Sequence, residues 1–208
     1  MKINKIICPV CHTQQSFTSY EMIQFDELVT LAPFQFHCKN CDYQNSILYQ
    51  TLVYDADKNV LLYLLPPTEK RNDKLVEKGQ QLLDQDDTII SRSVNSENAL
   101  YEKFLIAHSE LDDYLVELVK IESRHFIKQQ DPDLSIEHML LNRDSEGFFM
   151  TCFLEGGNQI TLEVDPEVFV IAKRKYGPHL KEIEGNPFAN IDYQWASDFL
   201  DKYLKLAA

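Results

Sequence analysis

Long apolar runs are missing from this chain. No stretch approaches the ~18 consecutive apolar residues of a membrane-spanning helix, so no membrane partner is expected. The opening Met1-Lys2-Ile3-Asn4-Lys5-Ile6-Ile7 has no extended apolar core before Cys8, and a secretory signal is therefore not expected. Positive charge is scarce too: 20 Lys and Arg stand against 33 Asp and Glu, a net charge of −13. Residues 1–66 carry four basic and six acidic residues, and residues 67–208 carry 16 and 27, so the deficit is general. Nucleic-acid affinity grows from cations that displace counterions at phosphates. No basic stripe is available for it, so nucleic acid is not an expected partner. Glycine is sparse, and the single Gly156-Gly157 pair lacks a following helix, which makes it a hairpin turn rather than a phosphate cradle. Neither a Gly-x-Ser-x-Gly elbow nor a His-Glu-x-x-His pair occurs, and no internal repeat or low-complexity tract is visible.

What is present is a globular composition with one chemical signature. Hydrophobic residues make up 44% and charged residues 25%, enough apolar surface for a real core. Four of the five cysteines form two Cys-x-x-Cys knuckles, Cys8-Pro9-Val10-Cys11 and Cys38-Lys39-Asn40-Cys41, 26 residues apart. Each knuckle lets two thiolates converge from one tight turn, and two knuckles close a tetrahedron around Zn²⁺ with Zn–S distances of ~2.3 Å. The expected site is one structural zinc held by Cys8, Cys11, Cys38 and Cys41. Metal-bound, the chain would carry about −15, because four thiolates outweigh one divalent ion. Paired cysteines of this kind fit a reducing compartment, so a cytoplasmic protein is expected. The competing reading is a redox dithiol, which would show one pair at a helix start within a βαβ pattern. His12 and His37 each adjoin a knuckle and could replace a sulfur, but four sulfurs already satisfy the ion. Cys152 reads as a small core residue.

The expected fold class is α+β: an N-terminal zinc-ribbon-like β module, then an α+β part with a central helical region and a β-meander. Short aromatic or alternating runs from Phe17 to Phe25 and Phe34 to His37 precede a strand over Ser46–Tyr54. A polar turn, Asp55–Asn59, leads to a second arm, Val60–Leu65, which Pro66-Pro67 ends. The module is placed at residues 1–67 and the α+β part at 68–208. Helices are expected near 69–85, 97–129, 166–176 and 192–206. The first is capped by Thr68; the last carries Trp195, Phe199, Tyr203 and Leu204. The middle helix shows steps of three and four through Leu100, Phe104, Ala107, Leu111, Leu115 and Leu118. Ser109 with Asp112 is expected to break it near His108. Thr88–Val94 reads as a strand, and Leu134–Leu141, Phe148–Leu154 and Gln159–Val164 as a meander with turns at Asp144–Gly147 and Glu155–Asn158.

Two further constellations carry weaker chemistry. Glu122 and His125 form a Glu-x-x-His pair, of which di-metal bundles need two, so a solvated face is expected. Glu110, Asp113 and Glu117 form an acidic ridge at helical spacing, expected to be exposed surface.

With the knuckles, hairpin and middle helix in view, the chain resembles the bacterial CpXC domain family. The resembling residues are Cys8-Pro9-Val10-Cys11, Cys38 and Cys41, then Leu52-Val53-Tyr54-Asp55 with Leu65-Pro66. Leu100-Tyr101-Glu102-Lys103, Leu111-Asp112-Asp113 and Glu117-Leu118-Val119-Lys120 look like the family's helical continuation. Lys39 stands where a second proline would fit the pattern, which leaves the sulfurs intact. The resemblance implies a bacterial zinc-binding domain and supplies no reaction. The expected function is protein interaction or scaffolding around a structural Zn(Cys)₄ site, with a protein partner. The alternative is an enzyme whose active site lies in the C-terminal part, lined by His108, Glu122 or His125.

Overall fold

The structure is a computed structural model, and it describes residues 1–28, 32–181, 183 and 185–203. Two compact units divide the chain, Met1–Leu100 and Tyr101–Ala208. The class is α+β, with 29% strand and 37% helix.

The first unit starts with two small hairpins. β1 (Lys2–Ile7) pairs antiparallel with β2 (Gln14–Ser19), Ile7 opposite Gln14. β3 (Met22–Gln24) follows, then 3₁₀ turns at Phe25–Leu28 and Ala32–Phe34. β4 (Gln35–His37) pairs antiparallel with β5 (Gln44–Ser46), His37 opposite Gln44. β1 escaped the sequence reading because its apolar residues do not face a core: Ile3 and Ile7 are both exposed.

A four-stranded sheet of order β3-β6-β7-β8 supplies this unit's core. β6 (Thr51–Asp55) and β7 (Val60–Leu64) form the expected hairpin, though its first arm begins at Thr51 rather than Ser46, which belongs to β5, and every residue of β7 is buried. Their turn is fixed by Asp55, whose Oδ1 accepts from the N–H groups of Asp57 at 3.0 Å and Lys58 at 3.1 Å. β8 (Ile90–Val94) pairs parallel with β7, Val60 opposite Ile90. That pairing needs a crossover, which α1 (Asp73–Leu83) provides. The unit therefore reaches well past the expected 1–67 module. α1 begins later than expected, and its cap is Asn72, which accepts from Lys74 N–H at 3.2 Å, rather than Thr68.

The expected middle helix is two. α2 (Glu97–His108) is followed by α3 (Asp113–Gln130), broken near His108 as the sequence suggested. The cap is Asp112, accepting from Tyr114 N–H at 2.9 Å, not Ser109. Between them Glu110 adopts φ +56°, a left-handed turn that ends helical bonding.

β9 (Ile136–Arg143), β10 (Phe148–Leu154) and β11 (Gln159–Val164) form the expected meander, order β11-β10-β9. Asp144 N–H donates to Gly147 O at 3.0 Å, and Leu154 N–H to Asn158 O at 2.8 Å, closing the two turns. α4 (Glu167–Leu180) runs past Gly177 and holds Pro178 in its last turn, where the sequence had placed its stop. A proline that near the end costs one hydrogen bond, and the helix ends two residues later. α5 (Tyr193–Tyr203) carries Trp195, Phe199 and Tyr203; the expected Leu204 lies outside the described residues. Leu115, Leu118 and Ile121 of α3, Met150 and Cys152 of β10, Phe169 and Tyr176 of α4, and Phe199 of α5 share one core. Cys152 is fully buried there, and burial pushes its thiol up against the opposing pull of Arg124. Among the described residues no helix is long and apolar enough to cross a membrane.

Candidate metal centre

The two knuckles are the tips of the two small hairpins, and they are built alike. In the first, Cys8 N–H donates to Thr13 O at 3.0 Å and His12 N–H to Cys8 O at 2.9 Å. In the second, Cys38 N–H donates to Tyr43 O at 2.8 Å and Asp42 N–H to Cys38 O at 3.0 Å. The residue after each second cysteine turns left-handed, His12 at φ +59° and Asp42 at φ +55°. His and Asp tolerate that conformation better than most side chains. Each bond of the first hairpin thus recurs at the matching position of the second, 30 residues on. The register repeats as well, down to a glutamine opposite the residue that precedes each first cysteine. A repeat that the sequence did not display is therefore present. It was hidden because it resides in backbone bonds, and few side chains besides the cysteines are shared.

The tips bring all four sulfurs together. Their Sγ atoms lie within 4.8 Å of one another, with Cys8–Cys41 at 3.6 Å and Cys11–Cys38 at 3.5 Å. Both of these contacts run between the knuckles, and all five cysteines are free thiols. A tetrathiolate tetrahedron with ~2.3 Å metal–sulfur bonds has edges of about 3.8 Å. The sulfurs are spaced to that scale, so Cys8, Cys11, Cys38 and Cys41 could hold a metal ion. Cys8 and Cys38 are buried, while Cys11 and Cys41 are partly exposed.

The sulfurs conflict electrostatically when nothing lies between them. The Thr13 hydroxyl, the Asn40 side chain and the Thr13 backbone N–H bring the Cys11 thiol down to about 5. At Cys38, burial opposes ionisation, but the N–H groups of Asn40 and Cys41 help hold the thiol below its ordinary value. At Cys41 the Tyr43 N–H favours the thiolate, yet burial and the three neighbouring sulfurs push it up to about 12. Thiolates this close cannot all ionise unaided. A cation among them removes the conflict.

Gln15 ties the hairpins together beside the sulfurs. From β2 its Nε2 donates to Cys38 Sγ at 2.8 Å, while its Oε1 accepts from Lys39 N–H at 3.1 Å. The second bond fixes which way the amide faces, so the NH₂ group must point at sulfur. Sequence reading missed Gln15, because nothing local links it to a knuckle 23 residues away. His12 and His37 are both exposed; His37 Nε2 lies 3.5 Å from Asp42, and neither joins the sulfur cluster.

The weaker constellations fall elsewhere. Glu122 Oε1 accepts from Lys175 Nζ at 2.5 Å and from the Tyr176 hydroxyl at 2.6 Å, while His125 is exposed. The pair is therefore not assembled as a ligand set.

The acidic ridge is a correction. Glu110 is exposed, but Glu117 is only 4% exposed and Asp113 is turned inward with it. Lys103 Nζ lies 3.4 Å from both carboxylates and donates to Ile191 O at 2.7 Å. Lys120 Nζ lies 2.7 Å from Glu102 and 3.0 Å from Glu117. Glu102 in turn accepts from Leu141 N–H on β9. Two lysines and three carboxylates are thus locked together out of water, and Lys103 on α2 is the partner that spacing along α3 could not reveal.

A comparison with known families matches residues 6–120, more than half of the chain, to the family described as CpXC protein. No curated protein and no solved structure matches it.

Proposed function

Because the chain belongs to the CpXC family and its four cysteines meet at the tips of two matched hairpins, we propose a zinc-holding interaction module. The ion in this reading is one Zn²⁺, held by Cys8, Cys11, Cys38 and Cys41. An all-thiolate tetrahedral set favours zinc or iron among the common metals, and zinc leaves the site redox-inert. The observation that carries the reading is the closed donor set, four sulfurs within 4.8 Å of one another. Such a set leaves no position for substrate or water, so the ion's work is cross-linking. Bound there, the ion supplies a clamp between hairpins too small to be stable alone. Gln15 orients the Cys38 sulfur, and the knuckle N–H groups stabilise negative sulfur. The function is to hold a fixed surface for a protein partner.

The test begins with metal analysis of purified protein. One zinc per chain is expected, falling below 0.2 per chain in Cys8→Ser and Cys38→Ser together with loss of solubility. Iron in place of zinc, or a variant that keeps full thermal stability without metal, refutes the structural-zinc reading. For the interaction, a partner retained by the zinc-loaded chain should be lost from Cys8→Ser.

A further inference from the structure

The matched hairpins leave two strand edges open. In an antiparallel ladder, hydrogen-bonded and non-hydrogen-bonded residue pairs alternate, and residues of the second kind turn their main-chain polar groups away from the partner strand. The bond from Cys8 N–H to Thr13 O makes that pair hydrogen-bonded. Counting down the β1–β2 register, Ile6–Gln15 and Asn4–Phe17 are of the same kind, so Ser16 and Thr18 face outward. Cys38 and Tyr43 set the same phase in the second hairpin, so Gln35 and His37 face outward from β4. These four residues line one cleft of about 480 Å³, together with Tyr20 and Glu27. The outward-facing residues of both ladders thus border the same cleft, with Phe17 and Phe36 of the opposite phase between them.

Side chains stitch the hairpin region at both ends of this cleft. At one end the Tyr49 hydroxyl accepts from Tyr20 N–H at 3.3 Å and donates to Pro33 O at 3.2 Å. At the other, Gln15 reaches Cys38 and Lys39. Between the stitches, no partner among the described residues meets the outward main-chain groups of Ser16, Thr18, Gln35 or His37. Neither β2 nor β4 contains the lysine or proline that commonly blunts an open edge. Among the described lining residues the only carboxylate is Glu27, which is exposed, and none is lysine or arginine. The chain around it carries a net charge of −13.

We propose that this cleft takes an extended peptide segment bearing lysine or arginine, paired through its main chain with the β2 edge. The peptide adds a strand, the addition mode of recognition in which main-chain bonds give affinity and side-chain contacts give choice. Its cation meets Glu27. The inference rests on the interaction reading above and gives that interaction a place and a partner chemistry.

The probe is a displayed library of random heptapeptides panned against the zinc-loaded full-length chain. Selected peptides should share a lysine or arginine at a fixed position, and their synthetic forms should shift the amide signals of Ser16 and Thr18. Methylating alternate peptide nitrogens should weaken binding at least tenfold, because it removes the ladder donors. Glu27→Lys should weaken binding at least fivefold and shift selection toward acidic peptides, and Glu27→Gln, which keeps an acceptor for the Gln24 N–H that Glu27 holds at 3.0 Å, should weaken it in the same direction. Selection of no peptide, selection without a basic bias, or undiminished binding of the N-methylated peptide overturns the proposal. A protein partner that binds wild type and Glu27→Lys equally, with no selected peptide competing, also overturns it, and leaves the interaction reading standing.

Discussion

Lys120 concentrates the energetics of the second unit in one side chain. Burial pushes its ammonium toward the neutral form, but the carboxylates of Glu102 and Glu117 outweigh that and hold it above the ordinary lysine range. Lys120→Met leaves Glu117 with Lys103 alone and Glu102 with only the Leu141 N–H, in a site closed to water. Removing one partner from a buried ionic set costs about 3–5 kcal/mol, which a urea titration would read directly. Glu110→Gln on the exposed side of the same ridge should change stability by less than ~0.5 kcal/mol. The pH dependence has a definite sign. A lysine that binds its proton more tightly folded than unfolded contributes fully below the unfolded value of about 10.4. That contribution is lost as pH rises through the folded value. The gap in thermal midpoint between wild type and Lys120→Met should therefore be constant near neutrality and narrow only in the alkaline range. At this scale the cysteines were legible, because a knuckle is a four-residue signal. Glu117 was misread, because its partner Lys103 sits on another helix.

Among the elements, α3 starts on a capping carboxylate, as α1 starts on the Asn72 amide. Asp112 satisfies Tyr114 N–H and places a carboxylate at the positive end of an 18-residue helix. Asp112→Ala should cost about 1 kcal/mol, visible as a lower denaturation midpoint with an unchanged slope. Asp112→Asn should recover most of it. The strong three-and-four spacing made α2 and α3 readable, since their apolar stripes face a core. The meander was readable for a similar reason, with turn residues between strands of β-forming composition. β1 was not: its alternation is mixed with lysines, and its stability comes from pairing with β2 and from the sulfurs at its tip. The persistence of α4 through Pro178 was hidden as well, because packing of Phe169, Ala172 and Tyr176 outweighs one lost bond.

Across the whole chain, the two units draw their stability from different sources. The Tyr101–Ala208 unit has a continuous apolar core of helices against a meander, whereas the two hairpins of the first unit bury Phe17 and Phe36 besides the cysteines at their tips. Chelation should consequently erase amide-exchange protection in β1, β2, β4 and β5 while β9, β10 and β11 keep theirs. A chain that loses protection everywhere at once would show that metal stabilises the entire molecule. The division itself was not readable, because β8 joins β7 by parallel pairing across 30 residues, and composition does not announce a distant strand partner.

The likeness of the two hairpins has an outcome for assembly. An ion that has captured one tip cannot distinguish the second tip of its own chain from that of another. The tether between them, which keeps the second tip at a millimolar-scale local concentration, and the Gln15 bonds between the hairpins favour closure within one molecule. Crowded, metal-starved chains should therefore bridge in pairs through shared ions, and dilution or added zinc should return them to monomers.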